Sequence, residues 1–362
     1  MRPEEKAAQG RERAKGSAGA ADASGKAVPS AAVNPSFGSR LSAKRRHLLR
    51  GADFREGFLL GLSALAVKAL QPTRWAAAGD RMRWLSRGAG SGRYRRFGER
   101  VRAFYGPAVD GAFVRDLWRD HVISLHRRRL MTVAEHLAPD HRAAIRVEGL
   151  DNIRSALAAG RGAILWFDNL RHHSLIGRRG IAEAGFQFWC TSAITHGFSS
   201  SLVGARLLNP IQVGAESRYC QRRVVFDESS ALTATREIRE HLAANGIVCV
   251  TNNAYIGRRV IHVPIGAAAW LAIATTPLNI AYRDGATLLP VATLEHEPFR
   301  SYSVTVGAPL PVRGPNRDRA FRDCARHYAA YLEPIVRAHP GQWIMWQGPI
   351  DRVPAASGAL PG

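Results

Sequence analysis

The amino-acid sequence predicts an α/β fold: a mixed, mostly parallel central sheet flanked by helices, preceded by a helical N-terminal segment. Three observations lead there. Short uninterrupted apolar runs, Ala163 to Phe167 and Ile247 to Thr251, have the length and β-branched content of strands covered on both faces. Stretches of helical period alternate with such runs, which is how a chain joins parallel strands. The region between the basic N-terminus and the C-terminal tail, about 300 residues, buries a substantial core without staples.

The elements follow in order. Residues 1–50 hold eleven Lys and Arg against four Asp and Glu, are rich in Ala, Gly and Ser, and lack large apolar residues almost entirely before Leu48. That is the composition of a disordered basic arm. Residues 51–145 read as an N-terminal helical region. Its apolar run, Gly57 to Val67, is bounded by Arg55-Glu56 and Lys68, and falls short of the roughly 20 residues a spanning helix needs. Lys44, Arg45, Arg46 and Arg50 precede it, and Arg74, Arg81, Arg83 and Arg87 follow, with Trp75 and Trp84 interleaved. This is the make-up of a segment resting on an anionic membrane, with indoles at headgroup depth; the alternative is a buried helix with a solvated basic face. The first apolar stretch starts near Phe54 and lacks the short basic start and cleavage pattern of a secretory signal. Residues 93–145 continue as amphipathic helices, with Phe113, Leu117, His121 and Ser124 on one face beside Arg127-Arg128-Arg129.

Residues 146–350 form the predicted α/β core. A strand around Ile145 to Gly149, a helix over Leu150 to Ala159, the turn Gly160-Arg-Gly162, the Ala163 strand, a helix over Arg178 to Ala184 and a strand at Phe186 to Cys190 make a βαβ succession. A helix over Leu232 to Ala244 and strands at Ile247 to Thr251, Thr287 to Thr293 and Ser303 to Val306 extend it. A helix over Arg319 to Arg337 closes it, with Pro334 expected to kink or end that helix. Residues 351–362 read as a flexible tail.

The formal net charge is +22, a sign that suits an anionic lipid or an acidic carrier protein. It would also attract nucleic acid, but no helix-turn-helix spacing, zinc finger or RNA-binding aromatic signature is present, so no specific nucleic-acid partner is expected. Cys190, Cys220, Cys249 and Cys324 show no Cys-x2-Cys and no Cys/His ligand spacing. They read as small buried residues in a reducing compartment, with no metal site.

The polar turn after the Ala163 strand, Asp168-Asn-Leu-Arg-His-His-Ser-Leu-Ile-Gly177, sits where open α/β sheets keep their chemistry. Further blocks follow in order: Ile247-Val-Cys-Val-Thr-Asn-Asn253, Val263-Pro-Ile-Gly266, Thr275-Thr-Pro-Leu-Asn-Ile-Ala-Tyr-Arg-Asp-Gly-Ala-Thr-Leu-Leu-Pro-Val291, Tyr302-Ser-Val-Thr-Val-Gly-Ala-Pro-Leu310 and His339-Pro-Gly-Gln-Trp-Ile-Met-Trp346. This ordered set resembles the bacterial lipid A biosynthesis late acyltransferases, a branch of the lysophospholipid acyltransferase superfamily. The resemblance spans roughly residues 50 to 350. It implies a glycerolipid-acyltransferase-like core that moves a fatty acyl group to a lipid, or to another hydroxyl or amine acceptor. The donor would be the thioester of acyl carrier protein or coenzyme A, acting as co-substrate with no bound cofactor. It further implies work beside anionic lipid at the cytoplasmic face of a bacterial inner membrane, with peripheral or shallow attachment.

The same alignment puts Asn169 where the family has its catalytic histidine and Ser174 where it has the carboxylate of its His-x4-Asp/Glu motif. Asn252 falls where a strand-ending aspartate stands. Acyl transfer to a hydroxyl needs a base, a group that orients the base, and donors for the oxyanion. Asparagine cannot accept the proton near neutral pH, and serine brings no charge to steady an imidazolium. His172 and His173 are the candidate replacement bases, with Asp168 or Ser174 as orienter. The competing reading is a catalytically inactive relative that binds acyl chains or lipid as an accessory protein. An amine acceptor of lowered pKa, acylated by proximity alone, is a third.

The expected substrate-binding residues are Asn252, Asn253, Arg258, Arg259 and Gly266. The two arginines suit a phosphate, or form a solvated basic turn. Gly266 admits close backbone approach of substrate, or makes a turn. His196 and Ser199 to Ser201 form a polar loop, and His262 reads as a packed or edge histidine.

Overall fold

A computed structural model describes residues 32–33, 47–86, 91–194, 196–226, 230–252, 259–347 and 350–352. Eleven strands are present among them: β1 (Ala32–Val33), β2 (Ala144–Glu148), β3 (Ala163–Phe167), β4 (Trp189–Ala193), β5 (Arg222–Phe226), β6 (Ile247–Thr251), β7 (Arg259–Ile265), β8 (Ala269–Ala274), β9 (Thr287–Glu297), β10 (Ser301–Val306) and β11 (Ile350–Arg352). The helices are α1 (Gly51–Ala69), α2 (Trp75–Met82), α3 (Ser91–Tyr105), α4 (Gly111–Leu137), α5 (Leu150–Ala158), α6 (Arg178–Glu183), α7 (Leu202–Leu207), α8 (Asn209–Ser217), α9 (Ala231–Ala243), α10 (Thr275–Asp284) and α11 (Arg317–Ala338).

Seven strands build the main sheet in the order β2-β10-β9-β3-β6-β4-β5, parallel throughout except between β9 and β10. The mostly parallel α/β expectation is met. β3 occupies the middle position, Ala163 pairing with Ile247 on one side and Thr287 on the other. It is buried along its whole length. Side chains alternate across it as the strand period requires. Ile164 and Trp166 join one core layer with Tyr328 and Leu332 of α11, while Leu165 and Phe167 join a second with Ile153 of α5 and Ile181 of α6. Two covered faces explain why this run carries no polar alternation.

A second, antiparallel sheet, β1-β7-β8-β11, was not foreseen as a unit. Its inner residues Ile261, Val263, Leu271 and Ile273 pack into the layer that also holds Phe104, Trp343 and Trp346. β5, at the edge of the main sheet, was not foreseen either: Arg222-Arg223-Val-Val-Phe226 reads as charged at its start and shows no clean alternation.

In the N-terminal region α1 and α2 lie on α4. Leu60, Val67, Trp75, Leu130, Met131 and Ala134 close the contact, and two bidentate pairs pin it: Arg129 to Glu56, both bonds 2.7 Å, and Arg127 to Asp80, at 2.7 and 2.9 Å. Trp75 is therefore a core residue. Its ring meets His141 and Phe299 edge-on, and its Nε1 donates to the Leu70 carbonyl. The expectation of an indole at headgroup depth fails for Trp75, whereas Trp84 is exposed. No helix among the described residues is long and apolar enough to cross a membrane. Pro334 does not end α11, which runs on to Ala338.

Candidate active site at the end of the central strand

At the carboxyl end of β3 the chain leaves the sheet through Asp168 to His172 and winds into a five-residue π-helical turn, His173–Gly177, that leads into α6. Such single wide turns are frequent at functional sites. Close packing shapes it: a Cβ at Gly177 would lie 2.5 Å from Thr293 Oγ1 and 2.6 Å from the Phe167 ring. Residues 168–179 are buried without exception, so this polar segment lies inside the protein.

The two histidines have different fates. His173 Nδ1 lies 2.5 Å from the Leu170 carbonyl and donates to it. Burial pushes its pKa down to about 3, which leaves it neutral and a poor base. His172 instead points its Nε2 at Glu295 Oε2, 3.2 Å away, and its ring meets Tyr302 edge-on at 5.2 Å. The Nε2 contact is an electrostatic approach that does not meet hydrogen-bond geometry. His172 Nδ1 makes no hydrogen bond among the described residues.

Glu295 stands on β9, the strand beside β3, and is itself held in place. Tyr302 donates to its Oε2 at 3.1 Å, Arg127 reaches its Oε1 at 3.9 Å, and its backbone exchanges two 2.8 Å bonds with the Gln342 side chain. Burial alone would raise this carboxyl. His172, Arg127 and the Tyr302 hydroxyl outweigh burial and hold it below the usual carboxylate range. The result is a buried histidine set against an ionised carboxylate, the minimal unit for general-base chemistry. Tyr302 also lines an open cavity of about 330 Å³ with Ala144, Arg146, His296 and Ser301.

The group beside His172 Nε2 is thus neither Asp168 nor Ser174. Ser174 is buried in the π-helical turn. Asp168 points to the opposite layer, fully buried, with both carboxyl oxygens lacking a hydrogen-bond partner. Burial pushes its pKa up to about 8, and the nearby Tyr328 hydroxyl opposes this. Asn169, at the family's histidine position, ties two strand ends together. Its Nδ2 donates to the Asn252 carbonyl, and its own carbonyl accepts from the Ile344 amide at 3.0 Å. The structure therefore brings Asn169 and Asn252 together as neutral partners.

Asn253 and Arg258 lie outside the described residues, and Arg259 begins β7. Gly266 faces protein in the β7–β8 turn. With φ +65° a Cβ there would stand 2.3 Å from the Phe104 carbonyl oxygen, and its amide donates to Glu333 at 3.0 Å. The turn reading holds at this position. Gly266→Ala should cost about 2–4 kcal/mol, combining left-handed strain with overpacking; a urea midpoint within error of the unsubstituted protein would refute that.

His196 belongs to a separate buried network. Its Nε2 lies 2.7 Å from Glu216, which also receives Arg178 at 3.0 Å and Gln212 at 2.8 Å. Ser199 and Ser201 hold Asp53 of α1, Ser199 Oγ donating at 2.5 Å. This loop fastens the N-terminal helices to the core.

Sequence reasoning missed Glu295 and Arg171. Arg171 is 1% exposed, and its Nη2 donates to the Gly341 carbonyl at 2.9 Å and lies 3.3 Å from His121 Nδ1. An arginine within the polar exit of the middle strand was the available signal for Arg171; Glu295 gave none. No protein-family model matches this chain, and no curated protein matches it.

Proposed function

We propose that this protein is a membrane-associated acyltransferase that moves a fatty acyl group from a carrier-protein or coenzyme A thioester to a lipid or other hydroxyl or amine acceptor. The observation that carries the reading is the His172–Glu295 pair at the carboxyl end of the middle strand, 3.2 Å apart. It supplies the base that position 169 lacks and the carboxylate that position 174 lacks.

In this mechanism His172 Nδ1 takes the proton as the acceptor oxygen or nitrogen attacks the thioester carbonyl. The C–S bond then breaks and the departing thiolate recovers that proton from His172. Glu295 holds the ring and steadies the transient imidazolium. The experiment is mass spectrometry of lipids from cells with and without the protein, compared with cells carrying His172→Ala. An acylated product that depends on His172 supports the enzyme. Copurifying lipid without any product would favour the accessory, acyl-binding role, which the neutral Asn169–Asn252 tie suits.

Membrane association rests on α1. One face of this helix is buried on α4, while Phe54, Phe58 and Leu65, at 67, 57 and 64% exposure, line the other with helical spacing. Exposed Leu48, Leu49 and Leu207 extend the same end of the molecule, where the 47–48 backbone is bonded to Leu202 and Val203. Arg50 and Arg55 sit beside them, so apolar insertion and attraction to anionic headgroups act together. The triple replacement of Phe54, Phe58 and Leu65 by serine should weaken binding to phosphatidylglycerol-containing vesicles at least roughly tenfold, since each buried side chain contributes about 1.5–3 kcal/mol. Thermal stability should be unchanged, and equal vesicle cosedimentation of the two proteins would overturn the assignment.

A further inference from the structure

Three arginines in a row on α4, and three more between 171 and 179, crowd around the end of β3. Most are neutralised. Arg127 pairs with Asp80, Arg129 with Glu56, Arg178 with Glu216 and Arg179 with Glu183. Two are not. Arg128 forms no direct ion pair among the described residues, with Glu216 and Glu56 acting on it only at longer range, and Arg171 meets only the neutral Gly341 carbonyl and His121 ring. The Nε and Nη1 of Arg171 are buried without any partner, so three N–H donors are unused. Glu295, the carboxylate within electrostatic range, is already engaged by His172, Tyr302 and Arg127. Burial lowers the Arg171 pKa to about 9, and Arg128 adds repulsion.

A buried guanidinium left unpaired costs several kcal/mol, and proteins hold such groups where an anion completes them. We propose that Arg171 and Arg128 form a phosphate subsite beside His172, receiving a phosphate ester of the acyl donor or of a phospholipid acceptor. Two positive charges without a direct ion-pair partner among the described residues and a planar set of free donors match a tetrahedral dianion in charge and in hydrogen-bond count. Half-buried Arg128 provides the solvent-facing side of the subsite, and Arg171 its floor. The ligand's role as a substrate rests on the acyl-transfer reading; the phosphate site itself does not.

The test is calorimetric titration of the full-length protein with inorganic phosphate, together with thermal melts. Saturable binding is expected, weakened roughly tenfold or more in Arg171→Gln. His172→Ala should retain it, so loss of acyl transfer and loss of phosphate binding remain separable. The ligand-free Arg171→Gln protein should melt no lower than the unsubstituted one, because an unpaired buried charge has been removed; a purely structural arginine would give a clear drop. Arg128→Gln, whose side chain bonds to nothing described, should also weaken phosphate binding and keeps the test open should the first variant fail to fold. Displacement of phosphate by coenzyme A would place the donor in the subsite. Displacement by phosphatidic acid vesicles, with no effect of phosphatidylcholine vesicles, would place the acceptor there, and either result supports the subsite. Absence of saturable binding, or equal binding by both arginine variants, overturns it.

Discussion

With the proposed function, acyl transfer by the His172→Ala protein should fall by roughly 10² to 10⁴, the usual contribution of a positioned general base. Glu295→Gln should lose roughly 10²: a neutral amide in that place cannot stabilise the imidazolium and can present an N–H to the wrong face of the ring. The two losses should not add, since the carboxylate acts only through the histidine 3.2 Å away. His173→Ala should lose far less, because that ring is spent on the Leu170 carbonyl and is held neutral by burial. Restoring a family-like pair, Asn169→His with Ser174→Glu, should not rescue His172→Ala. The new ring would have to displace the Asn169 tie to Asn252 from a buried site. Steady-state rates with a thioester donor across these variants check the set; an active His172→Ala enzyme would remove the base from this position altogether.

Asp168→Asn should stabilise the protein at neutral pH by about 2–4 kcal/mol. In the folded chain this carboxyl titrates at about 8, against about 3.9 when unfolded. Between those values the folded state binds the extra proton, so its stability falls as pH rises. The contribution is intact below about pH 4 and gone above about pH 8, and the amide removes the slope. Glu216 acts in the opposite sense. Burial alone would raise it, but His196, Arg178 and Gln212 hold it well below the carboxylate range. Its contribution is present above the ordinary glutamate pKa of about 4.3 and is lost as the pH falls. Urea unfolding at pH 5 and pH 8 separates the two groups. The Asp168→Asn advantage should be several times larger at pH 8, and equal advantages at both pH values would show that Asp168 is already ionised in the fold.

Much of the architecture was legible because burial leaves a local signature. The Ala163 and Ile247 strands announce themselves by continuous apolar character, and each was placed to within a residue. β7 and β8 were not recognised as a second sheet, since antiparallel partners are chosen by contacts distant in the chain. Arg127-Arg128-Arg129 read only as a basic run beside an amphipathic helix face. Only packing shows that the outer two are consumed by Asp80 and Glu56 while the middle one is left over. Trp75 looked amphipathic among arginines, and the fold buried it.

By itself the sequence determined the α/β class, the polar exit from the middle strand and the absence of a base at Asn169 and of a carboxylate at Ser174, because residue type and period are local facts. Tertiary structure decided which histidine faces a carboxylate, which arginines lack one, and that Asp168 points away from the site. Those outcomes depend on distances between β3, β9 and α4, and on the loss of water around charges. Neither is written in the order of residues along one segment.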